Sequence, residues 1–336
     1  MNSIKVIHFQ RKPRPGFNFS IESIFEDLRY RLKDKVDFTV AICSRFNNGY
    51  LSKFFNIIEA TSRQKKDAIA HITGEVYFLD MLMRKKNVLL TIHDCRFMKR
   101  KTGFQKKIMG WLYLKAPVSK AAFITTVSEA TKQAIMHYTG CAAAKIKVIP
   151  VPVNDIFKPA AKTFNKERPV ILQVGAAENK NLSRLIEAVK GMPCKLVIIG
   201  NIAPADLEKL WQYKIDFINK SNLSAVELYN EYVYCDVLAF VSTYEGFGMP
   251  IVEANSVERV VLTSNVSSMP EVAGDAACLV NPYDVASIRA GLLKIINDDA
   301  YREHLIINGR KKRERFSNEV IAEAYYRIYE TMAAGL

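Results

Sequence analysis

The sequence predicts two α/β domains, each built on a mainly parallel sheet. Three observations carry this. The chain has 336 residues, more than one core of ordinary size organises, so two domains of about 160 residues are expected. Short β-branched runs alternate with helical patterns in both halves, the signature of parallel strands joined by crossover helices. Between the halves, residues 154–168 are polar, hold Pro159, border Pro169 and lack a long apolar run, so they read as a connector.

Residues 3–9 (SIKVIHF) read as the first strand, followed by a Gly/Pro-containing loop at 13–18. A helix over 20–32 follows, with Ser20 as N-cap and Ile21, Ile24 and Leu28 on one periodic face. Residues 38–43, 87–92, 122–127 and 147–151 are further strands. Past the connector, strands are expected at 169–174, 195–199, 236–241 and 260–264, with helices at 181–190, 225–233 and 250–257. Helical patterns then fill 285–297, 299–314 and 318–332. The expected division is a first domain over 1–158, a linker over 159–168, a second domain over 169–316 and a final helix over 317–336. Two such domains facing each other make a cleft at the carboxyl ends of their strands, where open α/β sheets bind ligands.

Composition narrows the function. With 49% hydrophobic and 24% charged residues the chain is ordinary globular protein. No N-terminal segment resembles a signal peptide, and no apolar run approaches the roughly 20 residues that cross a bilayer, so a cytoplasmic location is expected. The six cysteines lack pairing or metal-ligand spacing and read as reduced, structural thiols. The five histidines show no zinc-type spacing. Charge is lopsided: residues 1–160 carry 28 Lys plus Arg against 12 Asp plus Glu, whereas 161–336 carry 20 against 22. A basic half predicts an anionic partner such as a phospholipid surface, a phosphorylated substrate or nucleic acid. A solvated face with no partner is the alternative.

The chemistry concentrates in residues 242–254, STYEGFGMPIVEA, where a strand gives way to a helix. Gly246 and Gly248 permit a tight turn and close approach of backbone to ligand. Pro250 suits a first helical turn, whose N–H groups favour phosphate. Glu245 in the loop and Glu253 about one turn into the helix are carboxylates able to accept paired hydroxyl hydrogen bonds. Gly175 to Asn181 (GAAENKN) is a second strand-to-helix turn, with Lys180 as a mobile cation suited to a diphosphate. In the first half, Thr91-Ile-His93-Asp94 ends a strand. His93 reads either as a ligand contact or as a satisfied interior histidine, and Ser128 as a helix N-cap.

The segment from Glu245 to Glu253 resembles the glutamate-x7-glutamate motif of retaining glycosyltransferases of family 4. Residues 264–275 (SNVSSMPEVAGD) resemble another ordered segment of that family, and Lys180-Asn181 its lysine–asparagine pair. The resemblance implies a GT-B fold, with two facing Rossmann-like domains, and a nucleotide-sugar donor with UDP or GDP as its nucleotide. It implies that Glu245 contacts the donor sugar, Glu253 the ribose hydroxyls, and Lys180 the leaving diphosphate. Gly246, Phe247, Gly248 and Met249 would lie beside the sugar and diphosphate, with Gly175, Lys180 and Asn181 on the phosphate side. His93 would meet a sugar hydroxyl, and Gly16 would sit in a loop closing under the diphosphate. No metal or other cofactor is implied, and no Asp-x-Asp motif occurs.

The expected reaction is transfer of a hexose-type sugar to a glycan or lipid-linked acceptor in surface-polysaccharide or lipopolysaccharide synthesis. Two departures from the family stand out. Ala176 and Asn179 occupy places where relatives carry arginine, and 258–260 (ERV) replaces a Gly-x-Pro. The base of the donor is expected to be read by loops around 200–222. Residues 99–115 interleave Lys and Arg with Phe104, Trp111 and Tyr113, and 81–86 (MLMRKK) add a second basic cluster. Such a surface suits peripheral contact with the anionic inner-membrane face, or equally a core helix with snorkelling lysines. Nucleic-acid binding finds no supporting module. A nucleotide-sugar epimerase of the same architecture and a catalytically degenerate partner protein are the alternatives.

Overall fold

The structure is a computed structural model that describes residues 3–13, 20–100 and 102–335. It divides into two compact units, Met1–Pro152 with Asn318–Leu336, and Val153–Ser317.

Unit 1 holds a six-stranded sheet of β1 (Ile4–Gln10), β2 (Val36–Ile42), β3 (Ile69–Ile72), β4 (Val88–Ile92), β5 (Phe123–Thr126) and β6 (Ile146–Val148). The order is β2-β1-β3-β4-β5-β6, with every pairing parallel. β3 and β4 are buried along their whole length because helices cover both faces. Phe78, Leu79, Leu90 and Ile92 fill one side. Phe25, Leu28, Leu89 and the final helix Asn318–Ala333 fill the other, through Ile321, Tyr325 and Tyr329.

That final helix is fastened by polar groups as well as by burial. Tyr329 Oη lies 3.1 Å from His8 Nε2 and 2.8 Å from His71 Nδ1. His71 Nε2 continues to Thr91 Oγ1 at 2.7 Å, and Thr91 to Thr125 at 2.6 Å. The direction of the chain follows from Arg29, which lies 3.3 Å from His8 Nδ1 and can only donate. His8 therefore donates from Nε2 to Tyr329, Tyr329 donates to His71 Nδ1, and His71 donates from Nε2 to Thr91. Both imidazoles are neutral; burial lowers the His8 pKa well below the usual histidine range and that of His71 to about 3.

Unit 2 repeats the architecture with β7 (Val170–Val174), β8 (Lys195–Ile199), β9 (Asp216–Lys220), β10 (Val237–Phe240), β11 (Val260–Ser264) and β12 (Cys278–Val280). The order is β12-β11-β10-β7-β8-β9, again parallel throughout. From β7 the chain winds one way through β8 and β9, then crosses to β10 and winds the other way. The carboxyl ends of β7 and β10 flank the switch point where such sheets bind ligands.

The two compact units divide after Pro152, and residues 159–168 belong to the second. The buried Asp236 carboxylate draws them in, accepting from Asn165 N at 3.1 Å and pairing with Lys162 at 3.3 Å. Arg259 holds the Ala160 carbonyl at 2.8 Å. Residues 200–222 are not all loop: helix Pro204–Gln212 and β9 lie within them. Residues 81–86 fall largely in 3-10 turns, Tyr77–Leu82 and Lys85–Asn87.

Candidate functional site

The site in unit 2 is assembled from the two turns that follow β7 and β10. After β7, Gly175 adopts φ +89°, and a Cβ there would sit 2.9 Å from Lys180 Cε. The missing side chain is what lets Lys180 fold back across the strand end. A 3-10 turn over Glu178–Lys180 and Asn181 in the left-handed region (φ 61°) then launch helix Leu182–Val189. Gln173, buried in β7, clasps the turn by donating to the Gly175 and Lys180 carbonyls, each at 3.0 Å.

After β10, residues 241–248 form the second turn, and Gly248 at φ 116° opens helix Met249–Ser256 with Pro250 in its first turn. Lys180 Nζ lies 2.8 Å from Glu245 Oε1 and 4.6 Å from the Phe240 ring centroid. Asn179 Nδ2 donates to the same Glu245 oxygen at 3.2 Å and to the Tyr244 carbonyl at 3.0 Å. The Lys180 and Glu245 side chains are 21% and 15% exposed, so the pair is shielded yet reachable from solvent.

Glu253, on the second turn of the helix, has a different neighbourhood. It is buried, and Oε2 accepts a 2.5 Å hydrogen bond from Tyr232 Oη. Burial raises its carboxyl to about 7, against the opposing pull of the Tyr232 hydrogen bond and of Lys180. A third segment braces the loop. Ser267 Oγ donates to the Glu245 carbonyl at 2.7 Å, and Ser268 Oγ to the Phe247 carbonyl at 2.6 Å. The Phe247 ring packs against Phe316 at 5.7 Å.

Nine of the sequence-derived site residues thus gather in unit 2: Gly175, Lys180, Asn181, Glu245, Gly246, Phe247, Gly248, Met249 and Glu253. Asn181 is engaged inward at both ends of its side chain. Its amide donates to the Val241 and Pro282 carbonyls at 3.0 and 2.7 Å, and its oxygen accepts from Arg184 at 2.9 Å. It is a positioning residue that pins the β7 turn to the β10 turn. Arg184 is occupied in the same clasp. Gly16 lies outside the described residues.

His93 belongs to unit 1, just past β4. Its Nε2 donates to the Thr73 carbonyl at 2.8 Å, which fixes the tautomer and leaves Nδ1 as an acceptor. Burial lowers its pKa, so the ring is neutral. Gly74, at φ +144°, leaves room for it, since a Cβ would lie 2.7 Å from the ring. Asp94 caps the following turn by accepting from Arg96 N at 2.8 Å, and Ser128 caps helix Glu129–Thr139.

Sequence reasoning missed Asn179 as a partner of Glu245, Tyr232 as the partner of Glu253, and Gln173 as the clasp. It also missed Arg11, which pairs with Glu22 at 2.7 Å and Glu75 at 2.6 Å past the ends of β1 and β3. A signal existed for the helix that carries Tyr232, because Ser224 and Glu227 form a capping box. Among the described residues, no group of three or more His, Cys, Asp or Glu is placed to hold a metal ion. Burial pushes the Cys43, Cys95 and Cys235 thiols up to about 12, which makes them inert packing groups.

The comparisons with known proteins converge. Residues 154–312 match the family model described as "Glycosyl transferases group 1", and residues 24–156 match "Glycosyltransferase Family 4". The serotype-specific mannosyltransferase WbdA of Escherichia coli is 27% identical over 231 residues, 60% of this chain and 28% of WbdA. The chain therefore spans little more than a quarter of that relative. O-antigen chain mannosyltransferase B of Escherichia coli is 27% identical over 286 residues, 76% of this chain and 72% of that protein. Among solved structures, Anabaena HepE in complex with UDP and glucose superposes with a TM-score of 0.79 at 14% identity, covering 98% of this chain and 100% of HepE. A likeness of that extent over both units shows the GT-B fold.

Proposed function

Since the chain belongs to the family-4 (group 1) glycosyltransferases, we propose that it moves a sugar from a nucleotide diphosphate sugar to a glycan or lipid-linked acceptor of a cell-surface polysaccharide. The observation that carries this is the Lys180–Glu245 pair at 2.8 Å, standing at the switch point of the unit 2 sheet. Without donor, each charge satisfies the other. A diphosphate competes for Lys180 and releases Glu245 to accept hydroxyls of the donor sugar. Glu253, with Tyr232 on one oxygen, offers the other to the ribose diol. In the reaction the bond from the anomeric carbon to the diphosphate oxygen breaks and a bond to the acceptor oxygen forms. The acceptor's proton passes to the departing phosphate, and Lys180 stabilises the charge that develops there.

The names of the relatives favour mannose as the sugar and O-antigen or a related polysaccharide as the product. In unit 1, His93 presents a neutral Nδ1 acceptor to a sugar hydroxyl. The basic, aromatic stretch 99–115 supports peripheral contact of this unit with the anionic cytoplasmic face of the inner membrane, where a lipid-linked acceptor would be met.

The test is a donor panel of UDP-glucose, UDP-galactose, UDP-N-acetylglucosamine, GDP-mannose and GDP-fucose, measured by calorimetry and by slow donor hydrolysis. Wild type is expected to bind one donor, with binding sharply weakened in Lys180→Ala. Glu245→Gln is expected to lose turnover more than affinity. A wild-type protein that binds no donor at millimolar concentration overturns the proposal.

A further inference from the structure

Helix Tyr50–Arg63 has apolar residues on two faces. Asn56, Ile57 and Ala60 pack inward. Outward, Tyr50, Leu51, Phe54, Phe55 and Ile58 are 73, 76, 53, 44 and 44% exposed. Their spacing, three and four apart, makes one stripe along the side of the helix that water-soluble proteins normally furnish with polar residues. An aromatic side chain carries roughly 150–250 Å² of surface, so this stripe leaves several hundred Å² of apolar area in water. A second helical stretch, Gly103–Gly110 running into Trp111–Lys115, exposes Phe104, Ile108 and Trp111 at 76, 37 and 57%. The two meet at Lys53, whose Nζ stands 5.4 Å from the Tyr50 ring and 5.7 Å from the Tyr113 ring.

The charge around this surface is predominantly positive, and the one acid of helix Tyr50–Arg63, Glu59, is paired with Arg63 at 2.7 Å. Residues 95–128 contain eight Lys or Arg and no Asp or Glu. The cations also lie over the aromatic groups: Arg45 is 4.1 Å from the Phe55 ring and Lys12 4.8 Å from the Phe46 ring. Aromatic residues flanked by snorkelling cations match a bilayer interface, where rings sit at headgroup depth and ammonium groups reach phosphate.

We propose that helix Tyr50–Arg63 is an apolar insertion element, which enters the boundary of an anionic lipid bilayer while the basic 99–115 stretch covers the headgroups. The inference rests on the membrane contact proposed above and adds to it a second helix with a different role. Charge alone gives reversible, salt-labile attraction, whereas an apolar stripe beside it supplies the second signal that stable anchoring requires.

The experiment is co-flotation with vesicles of phosphatidylcholine, alone or mixed with phosphatidylglycerol. Three proteins are compared: wild type, Leu51→Ser/Phe54→Ser and Lys106→Gln/Lys107→Gln. Circular dichroism and donor binding serve as folding controls. The chain has two tryptophans, Trp111 and Trp211, so a Trp211→Phe background makes Trp111 the reporter of depth through its emission. Wild type is expected to bind the anionic vesicles with a blue shift of Trp111. The Leu51→Ser/Phe54→Ser variant should partition on the order of tenfold more weakly, even at low salt. Equal partition of that variant and wild type overturns the insertion element while leaving the electrostatic contact standing. Wild type that ignores anionic vesicles overturns both, and self-association abolished by Leu51→Ser/Phe54→Ser would assign the stripe to a second copy instead. Donor binding reads the unit 2 site independently of all three outcomes.

Discussion

Binding of the donor should expel a proton, and Glu253 is the group that loses it. Its carboxyl titrates at about 7 in the free protein because burial disfavours the charged form. Tyr232 Oη occupies Oε2 at 2.5 Å, so the proton resides on Oε1, the oxygen proposed to meet the ribose diol. Two hydroxyls donating to Oε1 favour the carboxylate and drive the proton off. At pH 6 about nine-tenths of the free protein carries it, at pH 7 about half, and at pH 8 about one-tenth. Proton release per donor bound should follow those fractions, and donor affinity should rise about tenfold from pH 6 to pH 8 before levelling. The diphosphate of a nucleotide sugar has no ionisation in this range, so the proton must come from the protein. Calorimetry in buffers of different ionisation enthalpy measures it directly. Glu253→Gln should abolish the release and flatten the affinity profile. The same variant tests the cost of burial: the raised pKa means stability present below the unfolded value and lost as pH climbs through 7, about 3 kcal/mol in all. Glu253→Gln should therefore be the more stable protein at pH 8. A wild type that binds donor at pH 6 without proton release refutes the assignment.

Three further outcomes follow from geometry. Gly175→Ala places a methyl group 2.9 Å from Lys180 Cε at φ +89°, so it should cost about 1–3 kcal/mol in thermal unfolding and weaken donor binding by displacing Lys180. Tyr329→Phe leaves His8 Nε2–H and His71 Nδ1 without their shared partner, and scanning calorimetry should show a loss of about 1–3 kcal/mol. Asp80 is fully buried, neither carboxylate oxygen has a hydrogen-bond partner, and burial raises its carboxyl to about 8. The folded protein keeps this proton after the unfolded chain has lost it, so stability falls progressively from about pH 4 to about pH 8, by up to about 6 kcal/mol, and Asp80→Asn should flatten that fall in denaturant midpoint.

Much of the architecture was legible because it is written in local pattern. The strands over β7, β8 and β11 are β-branched runs bounded by turn residues, and the helices after 284 are periodic over three turns or more. What escaped notice lacked that contrast. β3 is four residues with a histidine among them, β12 is three residues, and β9 (DFINK) is an edge strand whose composition is half polar. Helix Tyr50–Arg63 has apolar side chains inside and outside, which blurs the period that marks a helix. The final helix was evident as a helix, yet the fastening of Tyr329 to His8 spans 321 positions, and nothing local in either segment announces it.

The candidate site divides along the same line. Glu245 and Glu253 stand out in the sequence because glycines, a proline and two carboxylates share one turn, and family resemblance supplied their roles. Their difference in chemistry lies in partners that come from elsewhere in the chain. Lys180 and Asn179 reach Glu245 across 65 and 66 positions, so this carboxylate sits against a cation and an amide. Glu253 receives a phenol, from Tyr232 21 positions before it, in a buried place where ionisation is costly. Eight residues of spacing thus put one carboxylate at the mouth of the turn and the other inside the helix. In the proposed reaction the first would exchange a cation for sugar hydroxyls and the second a proton for a ribose diol. When neighbouring acids are driven apart by environment in this way, each is suited to one task. Replacing either by the other's environment, rather than by another residue, is what would erase the division.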